Sequence, residues 1–331
     1  MKKNMIALAI ASAVAAPAAF ADAPTVYGKV NSAIQSNAKG ADTGLTVDSV
    51  ASRVGVKGAA DLTPGLKAVY KYEFEVQMDA SSTLKNRNQY LGLAGGFGTV
   101  LMGRHDTPVK MSQASDLFND GVFDNNAMTS VMAHGEDRLS NVLAYVSPDL
   151  GGVKIIGAFV PDEGATGAAK DSSLTDTTSF AAIYGSKKKG LFLSAGVNSF
   201  GELKDAAGVV TRASATFTRV SAQYSVAGLV ANAMYQTYDG AGKEGSNITA
   251  NVGYHMGQFM PKIKYATNSE DKNSGNTGSV VVVGMDYKLG KKTTAYVDFG
   301  SFDKEMGANS KVGSGTADSI TKYSIGLIHK F

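Results

Sequence analysis

The 331-residue sequence has no cysteine, no tryptophan and only 7 prolines. Without a thiol there is no disulfide framework, no cysteine-based metal site and no thiol chemistry, so a chain of this length depends on strand pairing and packing for stability. Past the first 21 residues, no uninterrupted apolar run reaches the roughly 18 residues that a membrane helix needs, which excludes a helical membrane protein. An excess of either charge is also missing. The chain holds 32 basic and 29 acidic residues, and removing Lys2 and Lys3 with the leader leaves 30 against 29, a net charge of +1. Such balance argues against a nucleic-acid binder, which carries a basic stripe.

At the N-terminus, Lys2 and Lys3, the apolar run from Met5 to Ala16, and Ala19-Phe20-Ala21 before Asp22 have the three parts of a secretory signal. This predicts a cleaved leader at 1–21 and one exported domain at 22–331. The domain is rich in glycine, with 38 in the chain, and in tyrosine and phenylalanine, with 14 each, a mix that favours strands and tight turns.

From Thr25 onward, alternating segments of roughly ten residues are separated by turn signals that are short and long by turns. The short ones fall at 62–65, 95–98, 149–152, 187–190, 226–228, 256–258 and 289–292. The long ones, rich in Gly, Asn, Asp and Ser, fall near 37–47, 79–86, 107–137, 161–177, 200–211, 239–246, 268–278 and 304–318. Fifteen connections join sixteen strands, and an even number brings both termini to the short-turn end of an all-β, transmembrane antiparallel up-and-down barrel.

The alternation separates a lipid face from a water face. Phe259, Pro261, Ile263 and Tyr265 oppose Lys262 and Lys264; Ala68, Tyr70, Tyr72 and Phe74 oppose Lys71, Glu73 and Glu75. A lysine or arginine facing lipid at the midplane costs about 2–4 kcal/mol, whereas a lumen position is solvated. The final strand puts Tyr323, Ile325, Leu327 and Phe331 on one face and ends there, as expected of a strand that closes onto the one starting at Thr25, since an open edge cannot survive in lipid. At 212–226, Phe217 and Val220 have opposite parity, which predicts a bulge or a change in register.

The connection at 107–137 is too long for a hairpin. It carries Asp116, Asp120, Asp124, Glu136 and Asp137, together with Leu117, Phe118, Val122 and Phe123, which are suited to packing against a wall. Met102-Gly103-Arg104 followed by Asp106-Thr107-Pro108, the run Ser52–Gly58, Arg138–Asn141 with Tyr145–Pro148, and the terminal Phe331 together resemble the general-diffusion porins of Gram-negative outer membranes, over the whole mature chain.

The resemblance implies a homotrimer of sixteen-stranded barrels in the outer membrane, in contact with lipid and lipopolysaccharide. The third outer loop would fold inward and set acidic side chains against a basic wall, so that small hydrophilic solutes and ions pass a charged constriction. By position, Lys29, Arg53 and Arg87 fall on that wall, and Arg138 begins the strand after the loop. Strand parity agrees for Arg53, which opposes Val54 and Val56, and for Arg87, which opposes Tyr90. For the acidic side the candidates are Asp116 and Asp120, four residues apart and so on one side of a helical turn, and Asp124. The Pro-Glu-Phe-Gly loop motif of enteric members is absent, which leaves the choice among these acids open. Tyr323 and Phe331 resemble the terminal signal read by the outer-membrane insertion machinery, with His329 where an aromatic residue is usual.

Chemical motifs are lacking. His105, His134, His255 and His329 have no metal-ligand spacing, no Gly-x-Ser-x-Gly elbow occurs, and Gly92–Gly98 is a turn and not a phosphate loop. No enzyme activity, metal or cofactor is expected. A substrate-selective channel and a non-conducting adhesive or structural barrel are the alternative readings, distinguished by saturable flux and by absent conductance.

Overall fold

The computed structural model describes residues 23–39, 42–78, 84–128, 135–161, 173–204, 208–240, 243–270, 277–309 and 319–331; the expected leader at 1–21, Asp22 and His134 lie outside these. The strands are β1 (Thr25–Lys39), β2 (Asp42–Ser49 and Arg53–Thr63), β3 (Leu66–Glu75), β4 (Lys85–Gly95), β5 (Gly98–Asp106), β6 (Arg138–Val146), β7 (Val153–Val160) and β8 (Thr177–Gly185). They continue as β9 (Gly190–Phe200), β10 (Ala215–Val226), β11 (Leu229–Gly240), β12 (Lys243–Tyr254), β13 (Phe259–Glu270), β14 (Gly278–Lys288), β15 (Thr293–Phe302) and β16 (Ile320–Lys330). The main sheet has 17 segments; the two halves of β2 both pair with β1 and count as one strand, leaving sixteen. Each strand pairs antiparallel with the next, and β1 pairs with β16 from Lys29↔Lys330 to Gln35↔Ser324. Gly28 and Phe331 exchange both backbone hydrogen bonds, at 3.1 and 3.2 Å, so the sheet is closed up to the last residue.

Period-2 alternation decides which side chains face the lumen. On β10, Phe217, Arg219, Ser221 and Gln223 are buried inside while Val220 and Tyr224 are exposed outside. On β13, Lys262 and Lys264 point in and Ile263 and Tyr265 point out. Phe97, Tyr184, Tyr224, Tyr254, Phe259 and Phe331 are exposed beside the short-turn end, where an interfacial aromatic girdle belongs. The apolar cluster that holds Phe118 and Phe123 lies inside the barrel, where this part of the long loop packs against Ala266, Val280, Val282 and Phe302, and not between two sheets.

Three expectations are corrected. The strands flanking the first and sixth long connections extend further than their sequence suggests, to Lys39 and from Asp42, and to Gly240 and from Lys243. The register of β10 is regular along its length: Phe217 simply faces inward, stacked on Tyr238 at 4.5 Å, and the lumen tolerates it because the aromatic pair covers itself. Tyr90 shares the inner face with Arg87, because β4 carries a bulge that sets Arg87 and Asn88 together opposite Glu73 and so shifts the parity beyond it.

Candidate functional site

The long loop leaves β5 and returns to β6 through a neck closed by the Thr107 N–H donating to the Asp137 carbonyl at 3.1 Å. Its first turn, α1 (Pro108–Met111), is capped by the Thr107 hydroxyl, which accepts from the Lys110 N–H at 3.2 Å, with Pro108 in the first turn where its missing N–H costs nothing. From there the loop crosses the lumen along the wall from β8 to β15. A second short turn, α2 (Asn125–Met128), begins its return.

Three cations on the wall hold it. Arg219 donates to the Val109 carbonyl at 3.2 Å and to Glu136 Oε1 at 2.9 Å, and Gln236 braces the guanidinium at 2.6 Å. Lys262 Nζ reaches the Leu117 carbonyl at 3.0 Å while paired with Asp286 at 2.8 Å and Asp298 at 3.1 Å. Lys264 Nζ is enclosed by Asp116 at 2.6 Å, the Phe123 carbonyl at 2.8 Å and Asn125 Oδ1 at 3.0 Å. Lumen parity of Lys262 and Lys264 is readable from sequence. Their role as anchors is not, since it depends on what crosses the barrel to meet them. Around these posts Phe118 and Phe123 are buried against Val280, Val282 and Phe302, with Leu117 and Val122 beside them, so the loop packs on the wall as its apolar residues suggest.

The acidic residues part company. Asp116 and Asp120 do not share a helical turn: Asp120 has φ 72°, a left-handed conformation that breaks any helix, and the Asp116 carboxylate accepts from the Phe118 and Asn125 N–H groups at 2.9 and 3.1 Å. Asp116 is thereby turned to the wall and Lys264. Asp120 turns the other way, with one carboxylate oxygen 2.5 Å from both Lys29 Nζ and Arg53 Nη2. Burial alone would raise the Asp120 carboxyl, but Arg53 and Lys29 outweigh it and hold it below the ordinary carboxylate range. Asp124 accepts from the Asp120 and Asn126 N–H groups, both at 2.7 Å, and so fixes the backbone that presents Asp120; burial and the nearby Asp116 charge raise its own carboxyl.

Facing the loop tip, three irregularities aim the basic side chains. β2 is broken between Ser49 and Arg53, with Ala51 at φ 47°, and the Ser52 hydroxyl bridges the break by bonding the Asn31 N–H at 2.9 Å and carbonyl at 3.1 Å. β4 has its bulge at Arg87 and Asn88, and β6 has a register shift around Asn141, at φ 59°. Bulges of this kind bend a strand and redirect a side chain, and they cluster beside functional sites. Arg87 pairs with Glu73 at 2.8 Å and Glu75 at 2.9 Å; Arg138 pairs with Asp106 at 2.9 Å and donates from its Nε to Asn88 Oδ1 at 2.8 Å.

Between wall and loop remains an opening of about 570 Å3, edged by Arg53, Arg87 and Arg138 on one side and by Asp120 and Asp124 on the other. The closed sheet, its apolar exterior and this charged passage define a membrane-spanning β-barrel pore with a loop packed on its inner wall. A model of the Gram-negative porin family matches residues 7–307, and the chain belongs to that family. Major outer membrane protein P.IB of Neisseria gonorrhoeae is 28% identical over 364 residues, covering 100% of both chains; P.IB of Neisseria meningitidis serogroup A is 27% identical over 353 residues, again 100% of both. Among solved structures, the anion-selective porin from Comamonas acidovorans superposes with a TM-score of 0.77 at 21% identity, over 93% of this chain and 99% of that one. The trimer form of OmpT from Vibrio cholerae gives 0.69 at 18% identity, over 94% and 100%. The protein is thus an outer-membrane channel for passive diffusion, of the Gram-negative porin family.

Proposed function

We propose that solutes and ions are sorted where Asp120 meets Lys29 and Arg53, with Arg87 and Arg138 along the remaining edge of the opening. The single observation that carries this reading is the Asp120 carboxylate in contact with two wall cations, which offsets one of the two positive charges and leaves that edge of the opening with a net charge of +1 from this cluster. Charges lining a narrow passage between low-dielectric walls focus the potential and filter ions, as rings of charge do in other channels. Asp116 serves as a loop brace in this reading and Asp124 as a backbone support. The solutes are small and hydrophilic, and they move without a chemical step. Purified protein in a planar bilayer is expected to carry ohmic current; protein that inserts and never conducts overturns the reading.

The assembly is a homotrimer whose contact is the β1–β5 wall. Among described strand residues, the most exposed large apolar side chains are Val47, Val26, Leu45, Met102, Leu91 and Tyr72, at 56–65%, all on those five strands. On the same outer wall Arg104 bonds Ser140 at 2.8 Å and the Asn86 carbonyl at 3.2 Å. An arginine against lipid is unfavourable by about 2–4 kcal/mol at the midplane, and a neighbouring copy removes that exposure. Closures in three equal steps are therefore expected. Arg104→Glu should convert them to single steps and lower the temperature at which trimers dissociate on gels; unchanged trimers would place the contact elsewhere.

The remaining outer wall meets lipid, and the long outer connections meet lipopolysaccharide. Tyr323 and Phe331 form the terminal signal for the insertion machinery. Removing Phe331 is expected to cut the yield of assembled trimer while leaving the conductance of each assembled channel intact, and normal yield would argue against that role.

A further inference from the structure

Three glycines on the inner wall, Gly253 of β12, Gly284 of β14 and Gly300 of β15, lie within strands, where glycine loses packing and costs about 0.5–1 kcal/mol relative to alanine. None has the left-handed φ that would demand glycine. Each instead faces a side chain of the loop. A methyl carbon on Gly253 would come within 2.8 Å of Leu117, one on Gly284 within 2.8 Å of Phe118, and one on Gly300 would collide with the Phe123 ring. Met260 also crowds Gly253, and Asp298 and Lys262 crowd Gly284, but the three atoms nearest to Gly300 all belong to Phe123.

We propose that these glycines are sockets that seat the loop, and that the Gly300–Phe123 pair is the positioning contact that sets how far the loop stands into the pore. Phe123 is stacked on Phe302 at 6.1 Å and edge-on to Phe118 at 6.4 Å, so its ring cannot yield sideways. Asp124 follows it in the chain and holds the Asp120 N–H, so an outward push at Phe123 is passed to the pore edge. The space freed by glycine is the depth to which the loop sinks into the wall. The inference rests on the loop being the constriction.

Gly300→Ala tests it in the full-length protein, with Gly290→Ala as control, because a methyl at Gly290 meets open space. The expected result is a loss of single-channel conductance on the order of twofold, as an overpacked contact shifts its surroundings, with full recovery when Phe123→Leu is added and no change in the control. Loop seating is read separately with a fluorophore on Asn119→Cys, which labels uniquely since the chain has no other cysteine. Unchanged fluorescence and unchanged conductance overturn the socket. Changed fluorescence with unchanged conductance keeps the socket and overturns the loop as constriction. If Gly300→Ala fails to assemble, the double variant decides: assembly restored by Phe123→Leu supports the socket, and assembly not restored overturns it.

Discussion

Asparagine in place of Asp120 is expected to shift the zero-current potential of the channel in a salt gradient toward anion preference. The side chain keeps its size and loses the only carboxylate, among the described residues, in contact with Lys29 and Arg53. Two cations then face the opening unneutralised. A unit charge at ~4 Å is worth about 1 kcal/mol even in bulk water, which corresponds to roughly a fivefold change in local ion occupancy. Arg53→Ala should move the potential the opposite way, toward cations. Acidification should reproduce the asparagine result with a defined sign. Because its partners hold the Asp120 carboxyl below the ordinary carboxylate range, selectivity should stay flat as pH falls through that range and turn toward anions only below it. A potential that does not move in Asp120→Asn would remove this carboxylate from the ion path.

The second large effect is expected at Lys264→Met, which should release the loop while leaving the barrel assembled. Lys264 is 0% exposed and Asp116 4%, so the substitution leaves a buried carboxylate without its cation and frees the Phe123 carbonyl and Asn125 side chain. Breaking one half of a buried pair costs about 3–5 kcal/mol. The sixteen-strand ladder does not run through this contact, so the loss is concentrated on the loop. Recordings should show trimers of normal heat stability whose current fluctuates between levels. Lys264→Met combined with Asp116→Leu, which removes both charges, should quieten the current again. Quiet, wild-type current in the single variant would mean that Arg219 and Lys262 hold the loop without Lys264.

The barrel was legible because lipid and water impose a period of two on every strand, and because turn residues mark where that period stops. Lys262 and Lys264 could be placed on the water side from their apolar neighbours alone. What crosses the lumen to meet them could not. Asp116 and Asp120 look equivalent along the chain, and they separate only through the left-handed backbone at Asp120 and the turn that Asp116 closes on itself. The interruptions at Ala51 and Arg87–Asn88 carry no glycine or proline to announce them, so plain strand parity puts Tyr90 on the wrong face. Arg219 is illegible for a related reason: an inward Phe217 makes its strand look irregular, and that irregularity hides the guanidinium that holds both arms of the loop.

The seam between β1 and β16 differs in kind from every other ladder of the sheet. All the others join neighbours along the chain, whereas Lys29 meets Lys330 across nearly the whole polypeptide. Each doubling of loop length adds only about 0.6 kcal/mol to closure, so the distance itself is thermodynamically mild. Its consequence is temporal. Until β16 has been delivered, β1 has no partner on that side and the sheet keeps two unpaired margins. Closure is a single late event, and whatever chaperones the open sheet must shield both margins at once until they find each other.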